Sequence, residues 1–193
     1  KIFGAFEGAY IFGDTTFPRT VDRRKFDVEQ FLAAGQLGRL SDSLDVVFEG
    51  GYASGDANTE DGTQRRATFD PDHRVGLILF PEVIAWQTAR AATLARSEEL
   101  FARPQPGTDL VPTDGGVAGA FYLFPYSIIK PVDWMDLRFG MVWARASSNV
   151  VDPFRQRSES RSVNYRGGDP RAKHLGVELD GAIRFRGELP YGV

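Results

Sequence analysis

The chain has no cysteine among its 193 residues, and only two methionines and two histidines. Without cysteine there is neither a disulfide framework nor a Cys-ligated zinc or iron–sulfur site. His73 and His174 stand apart from any nucleophile motif, so we expect no enzymatic activity, no catalytic residue and no cofactor. A net charge of -3 lacks the excess of basic residues that a nucleic-acid partner calls for. No apolar run approaches the ~18 to 20 residues of a membrane-spanning helix. That absence does not exclude a membrane protein, because a spanning strand needs only ~9 to 11 residues, with apolar side chains at alternate positions.

What is present suits strands and turns: 21 glycines, and aromatic residues at 12%. Residues 174–187, "HLGVELDGAIRFRG", separate by parity into two sequences. Leu175, Val177, Leu179, Ile183 and Phe185 fall on one side, and Glu178, Asp180, Arg184 and Arg186 on the other. A strand sends successive side chains to opposite faces, so this one has an oily face and an ionic face. Similar patterns predict strands over about 1–12, 26–39, 44–54, 116–129 and 134–147, which makes about six in all. In the second, the apolar parity changes near Gln30, and a bulge there would shift the phase by one residue. Pro125 removes a ladder hydrogen bond in mid-strand, so a bulge or kink is expected there too.

The connections alternate between long and short, so up-and-down strands put every tight turn at one end and every long loop at the other. Outer-membrane barrels have this asymmetry. The longest connection, 55–115, reads as one outer loop with a helix over about 82–101: Pro81 suits a first helical position and Glu82 the positive end of the helix dipole. This helix carries Trp86, Arg90 and Arg96. "VGLILF" (75–80) is short and apolar, a strand or a buried loop segment by pattern alone. As a strand it would break the up-and-down parity, so we place it inside the outer loop.

The fold expected is all-β: an antiparallel up-and-down transmembrane β-barrel, seen in part, with residues 1–193 belonging to one barrel domain. Tyr10, Phe12, Tyr52, Trp134 and Trp143 near strand ends suit interfacial girdles. The chain begins on a strand pattern without an initiating Met and stops soon after another strand, so it is expected to be part of something longer.

At "GYASGDANTEDG" (51–62) the sequence resembles the alginate-export family of outer-membrane β-barrel porins, whose members carry a similar strand ending in a Ser-Gly-Asp step and an Asn/Asp-rich loop. "FDPDHRVGLILFPEVIAWQTARAA" is similar to a stretch in related barrel proteins of Gram-negative bacteria. The resemblance implies an outer-membrane location, more strands than six, and passage of anionic polysaccharide or another polar solute. The alginate channel is rich in arginine, whereas the ionic faces here are mixed in sign.

If those faces line a passage, its wall carries Glu7, Asp45, Glu49, Asp136, Arg138, Glu178, Asp180, Arg184 and Arg186. Charged rings in a pore wall select solutes by field and hydrogen bonding; the bland alternative is that the same groups pair across strands. Of the remaining motifs, "DANTEDG" offers Asp56, Asn58, Glu60 and Asp61 as oxygen ligands but departs from the calcium-loop spacing, and reads as a solvated acidic loop with no metal. "FDPDHR" brings Asp70, Asp72 and His73 close in sequence, with no nucleophile beside them.

The function expected is a passive porin for polar or anionic solutes, with outer-membrane lipid and lipopolysaccharide as surroundings. A barrel that anchors or binds without transporting, and a soluble carbohydrate-binding β-sandwich, are the competing readings.

Overall fold

The structure is a computed structural model describing residues 1–16, 20–89, 113 and 115–187. Six long strands follow one another as an antiparallel up-and-down sheet: β1 (Ile2–Thr15), β2 (Phe26–Arg39), β3 (Leu44–Ala53), β5 (Ala120–Val132), β6 (Met135–Ala146) and β7 (His174–Phe185). A two-residue β4 (Thr63–Gln64) pairs parallel with the start of β2 and makes the seventh strand. The sheet is not closed into a barrel; β1 and β7 are its edges among the described residues.

Tight turns at 40–43 and 133–134 lie at one end, and the connections 16–25, 54–119 and 147–173 at the other. Residues 75–80 form no strand: Gly76 sits in a turn, and a π-helical turn, Leu79–Ile84, continues as α-helix over 85–89. The helix thus starts at Leu79, ahead of the expected 82; Arg90, Arg96 and the rest of the expected span to 101 lie outside the described residues. Within 147–173 there is a short helix α1 (Pro153–Glu159) that the sequence reading passed over. Asp152 caps it, accepting a hydrogen bond from the Phe154 N–H at 3.0 Å with proline next in sequence, and this Asp-Pro step is a helix-start signal.

Neither expected bulge is present. β2 pairs with β1 in one unbroken register, from Ile2 opposite Arg39 to Thr15 opposite Phe26. The parity change near Gln30 therefore records a change of surroundings along a regular strand. Asp27 and Glu29 precede Phe31 and Leu37 on one face, while Phe26 and Val28 precede Gln36 on the other. At Pro125 the pairing with β6 lapses between Leu123 and Tyr126 and resumes in the same register, while the pairing with β3 continues past it. The missing N–H thus interrupts one ladder without displacing it. The shifts that do occur lie between Ile129 and Val132 and between Ala144 and Arg145.

The two faces of the sheet differ sharply. On one, β1 presents Phe6 and Phe12, β2 Phe31 and Leu37, β3 Phe48, β5 Leu123 and Ile129, β6 Phe139 and Met141, and β7 Leu179 and Ile183, all exposed. On the other lies the buried core. Connection 54–119 folds back so that Ala67, Phe69, Val75, Phe80, Ile84 and Val117 pack on Ala53, Ala120, Tyr122, Phe124, Val142 and Ala144 of the strands. These are called below the bare face and the loop-bearing face. Leu175 follows the core in spite of its parity, because the register shift beside it turns it from the bare row into the buried cluster.

Candidate functional site: the loop-bearing face

Residues directly opposite in an antiparallel pair share a face, and the registers chain the strands together: Glu7 opposite Ala34, Gln36 opposite Glu49, Glu49 opposite Phe124, Ile128 opposite Arg138, Gly140 opposite Asp180 and Asp136 opposite Arg184. Glu7, Asp45, Glu49, Asp136, Arg138, Glu178, Asp180 and Arg184 accordingly lie on one face, together with Arg186, which ion-pairs with Asp136.

Toward the tight turns, strand-to-strand pairing dominates. Asp45 is buried and holds the Lys130 ammonium at 2.8 Å. Asp136 binds the Arg186 guanidinium, and Arg184 lies opposite Asp136 and exposed. Arg138 stacks over the Tyr126 ring at 4.5 Å and approaches Phe124 at 5.7 Å, an arrangement suited to a guanidinium near aromatic faces.

Toward the long connections, the wall holds the folded-back loop by several polar contacts: Gln30 Nε2 donates to the Arg66 carbonyl at 2.8 Å, and two further contacts centre on Glu178 and Tyr122. Glu178 takes three consecutive backbone N–H groups: its Oε1 accepts from Leu77 at 2.8 Å and Ile78 at 2.9 Å, and its Oε2 from Leu79 at 2.6 Å. These are orphan donors at the start of the 79–89 helix, where no carbonyl precedes them and negative charge is favoured. Gly76 permits the approach. It has φ +70°, and a Cβ there would lie 2.7 Å from Val142 Cγ2 and 3.0 Å from Glu178 Oε2. Asp180 lies one step along the same face from Glu178, opposite Gly140.

In the second contact, the Tyr122 hydroxyl donates to Glu49 Oε1 at 3.0 Å and lies 2.8 Å from His73 Nε2. A hydroxyl has one proton, so His73 Nε2–H is the donor to Tyr122. Phe69, His73, Phe80 and Tyr122 form one aromatic cluster, Phe69 stacking on His73 at 4.9 Å and Phe80 meeting Tyr122 edge-on at 5.1 Å. Tyr122 lies across Gly51, where a Cβ would be 2.4 Å from its ring. A depression of about 300 Å³ opens beside this contact, lined by Glu7, Gln36, Glu49, His73 and Tyr122 among others.

Asp70, Asp72 and His73 do not act together. Asp70 accepts from the Asp72 N–H in an exposed turn, while His73 points back to Tyr122. In 56–65, Asp56 accepts from the N–H groups of Asn58 and Arg65, and Asp61 from the N–H of Thr63 and the guanidinium of Arg65. These carboxylates shape the loop locally.

The link between Glu178 and residues 77–79 spans about a hundred positions, and sequence reading missed it; so was the place of Tyr122. Gly76 and Pro81 around an apolar run do mark a helix start with unpaired N–H groups, but nothing in the sequence says which carboxylate meets them.

Comparison with protein-family models, with curated proteins and with solved structures found no match to this chain.

Proposed function

We propose that this sheet is part of the wall of an outer-membrane β-barrel, that its bare face meets hydrocarbon, and that its loop-bearing face lines a passage for polar or anionic solutes. One observation carries the reading: the large apolar side chains stand uncovered on one face, while the covering layer lies on the face with the charges. A soluble sandwich would bury the oily face first, since each such side chain is worth ~1.5–3 kcal/mol on burial.

The bare face has the limits of a bilayer as well. Between Asp14, Asp27, Glu29 and Arg145 at one end and Arg39 at the other, its described strand positions hold no charged residue. On β6 that interval runs from Met135 to Trp143, close to the ~9–11 residues of a spanning strand. Aromatic rings follow its upper limit from strand to strand. Tyr10 pairs with Phe31, Phe31 lies 6.1 Å from Tyr52, Tyr52 pairs with Phe121, and Phe121 meets Trp143 at 5.8 Å. At the lower limit Trp134 stacks on Phe185 at 6.2 Å. Girdles of this kind mark both interfaces of outer-membrane barrels. The resemblance of 51–62 to alginate-export porins points the same way.

Selection would be steric and electrostatic, with no covalent step. The folded-back loop would narrow the half of the passage near the long connections, and its described residues leave the arginine-bearing half uncovered. A barrel that does not transport draws support from this same loop packing, which fills part of the interior. Conductance of the whole protein in planar bilayers decides between them. Arg184→Glu is expected to shift the reversal potential toward cations more than Arg186→Glu, because Arg186 is engaged by Asp136. An absence of current in every variant, or selectivity indifferent to Arg184, would reject a conducting lumen.

A further inference from the structure

We infer that residues 75–79 form a hydrophobic gate inside the passage, with Leu77 and Ile78 as the gating side chains and Glu178 as the residue that positions them. The inference rests on the channel reading above and names a device within it.

The segment is fixed at both ends and bare at its tip. Val75 and Phe80 are fully buried in the core, whereas Leu77 is 64% and Ile78 60% exposed. They stand on the face that carries the charges, because the backbone beneath them is held by Glu178, which faces the same side as Asp136, Arg138 and Asp180. Two large aliphatic side chains in that position contribute nothing to the core beside them, and their exposure opposes folding by the usual hydrophobic cost. Their backbone is nonetheless held firmly, by three charge-assisted hydrogen bonds to one carboxylate and by the left-handed turn at Gly76. An apolar tip rigidly presented to an aqueous lumen has a known physical effect: it dewets the constriction and blocks ions until the tip moves or becomes polar.

The test uses the whole protein in planar bilayers and takes advantage of the absence of cysteine. Leu77→Ser/Ile78→Ser is expected to raise conductance several-fold. Ile78→Cys is expected to react with a charged, membrane-impermeant thiol reagent, with a rise in current as the charge is added. Leu179→Cys on the bare face should react only with a lipid-soluble maleimide. Glu178→Ala should destabilise the closed level more than Glu178→Gln, which keeps an oxygen acceptor, and both should insert as the parent does. Current in the parent that neither the serine pair nor the label alters would overturn the gate and leave the channel reading standing. An Ile78→Cys thiol that resists the charged reagent would overturn it too, since the tip would then be packed against protein. If parent and serine variant are both silent while Ile78→Cys is labelled, the channel reading falls and the gate with it.

Discussion

Residues Ala5 and Phe6 are neighbours in β1, yet they belong to different worlds. Ala5 faces the side with Glu7, Gln36 and the folded-back loop, whereas Phe6 stands 79% exposed among uncharged side chains. The same opposition recurs along all six long strands, and it is inverted relative to a soluble domain: the protein's core grows on the ionic face and the oily face is left bare. On the proposed reading, what differs between the faces is the solvent each is built for. A face whose strand positions hold no charge over about nine residues of each strand has no need of a protein layer if hydrocarbon covers it.

The largest effect should come from putting one charge on each side of that divide. With the protein in lipid vesicles, Phe6→Arg is expected to cost about 2–4 kcal/mol for the charge alone, by analogy with lipid-facing positions near the bilayer midplane. Ala5→Arg, beside Glu7, should cost little. Urea unfolding of both variants measures the difference; equal costs would mean that the bare face does not see lipid.

Within the loop-bearing face the next comparison is between its two ends, one held by ion pairs and the other by Glu178. Removing that carboxylate with Glu178→Ala takes a charged partner from three N–H groups. Hydrogen bonds to charged groups are worth about 1.5–3 kcal/mol each when buried, and water at the exposed tip will restore part of this. We expect amide exchange at residues 77–79 to accelerate about tenfold to a hundredfold, with the β5–β6 amides unchanged. Exchange that accelerates throughout the sheet would show that Glu178 supports the wall and not the loop alone.

Gly51→Ala probes the aromatic contact. The added methyl meets the Tyr122 ring, and overpacking of this kind costs typically about 1–3 kcal/mol. Tyr122→Phe keeps the ring and removes the hydroxyl, leaving Glu49 and His73 without this partner, at about 1 kcal/mol. Thermal unfolding of the two variants should rank the alanine as the more harmful; the reverse order would place the anchor in the hydroxyl and not in the ring.

The strands were legible because a period of two is a strong signal where one face is apolar and the other ionic. All six long strands were found, with ends displaced by up to four residues, and the alternation of long and short connections placed their ends correctly. The parity of Glu49, Asp136, Arg138, Glu178, Asp180 and Arg184 was legible for the same reason. The phase change in β2 was misread because parity alone cannot separate a bulge from a strand crossing from one environment into another; Asp27 and Glu29 lie outside the oily band and Phe31 within it. Leu175 was assigned to the bare face because a register shift one residue away leaves no mark in composition. The loop's fold was the least legible, since what holds it, Glu178 to the backbone of 77–79 and Tyr122 to His73, joins positions far apart through groups that no pattern pairs in advance.

The smallest effect belongs to the loop at 56–65, where the contrast is between a buried carboxylate and an exposed one. Asp56 is buried and accepts two backbone hydrogen bonds. Asp61 is more exposed, and its carboxyl lies below the usual range chiefly because it accepts the Thr63 N–H, with Arg65 at 2.8 Å adding to the effect. A carboxylate whose pKa is lower folded than unfolded adds stability that is present above the unfolded value, about 3.9, and disappears as the pH falls through the folded one. The loop should therefore loosen only below about pH 4, and by no more than about 1 kcal/mol, since exposed ion pairs are screened. Asp61→Asn keeps the acceptor for Thr63 and removes the charge, so its Thr63 and Arg65 amides should exchange at rates that no longer respond to this titration. A variant whose exchange still steepens below pH 4 as the parent's does would show that Asp61 is not the source of the acid response.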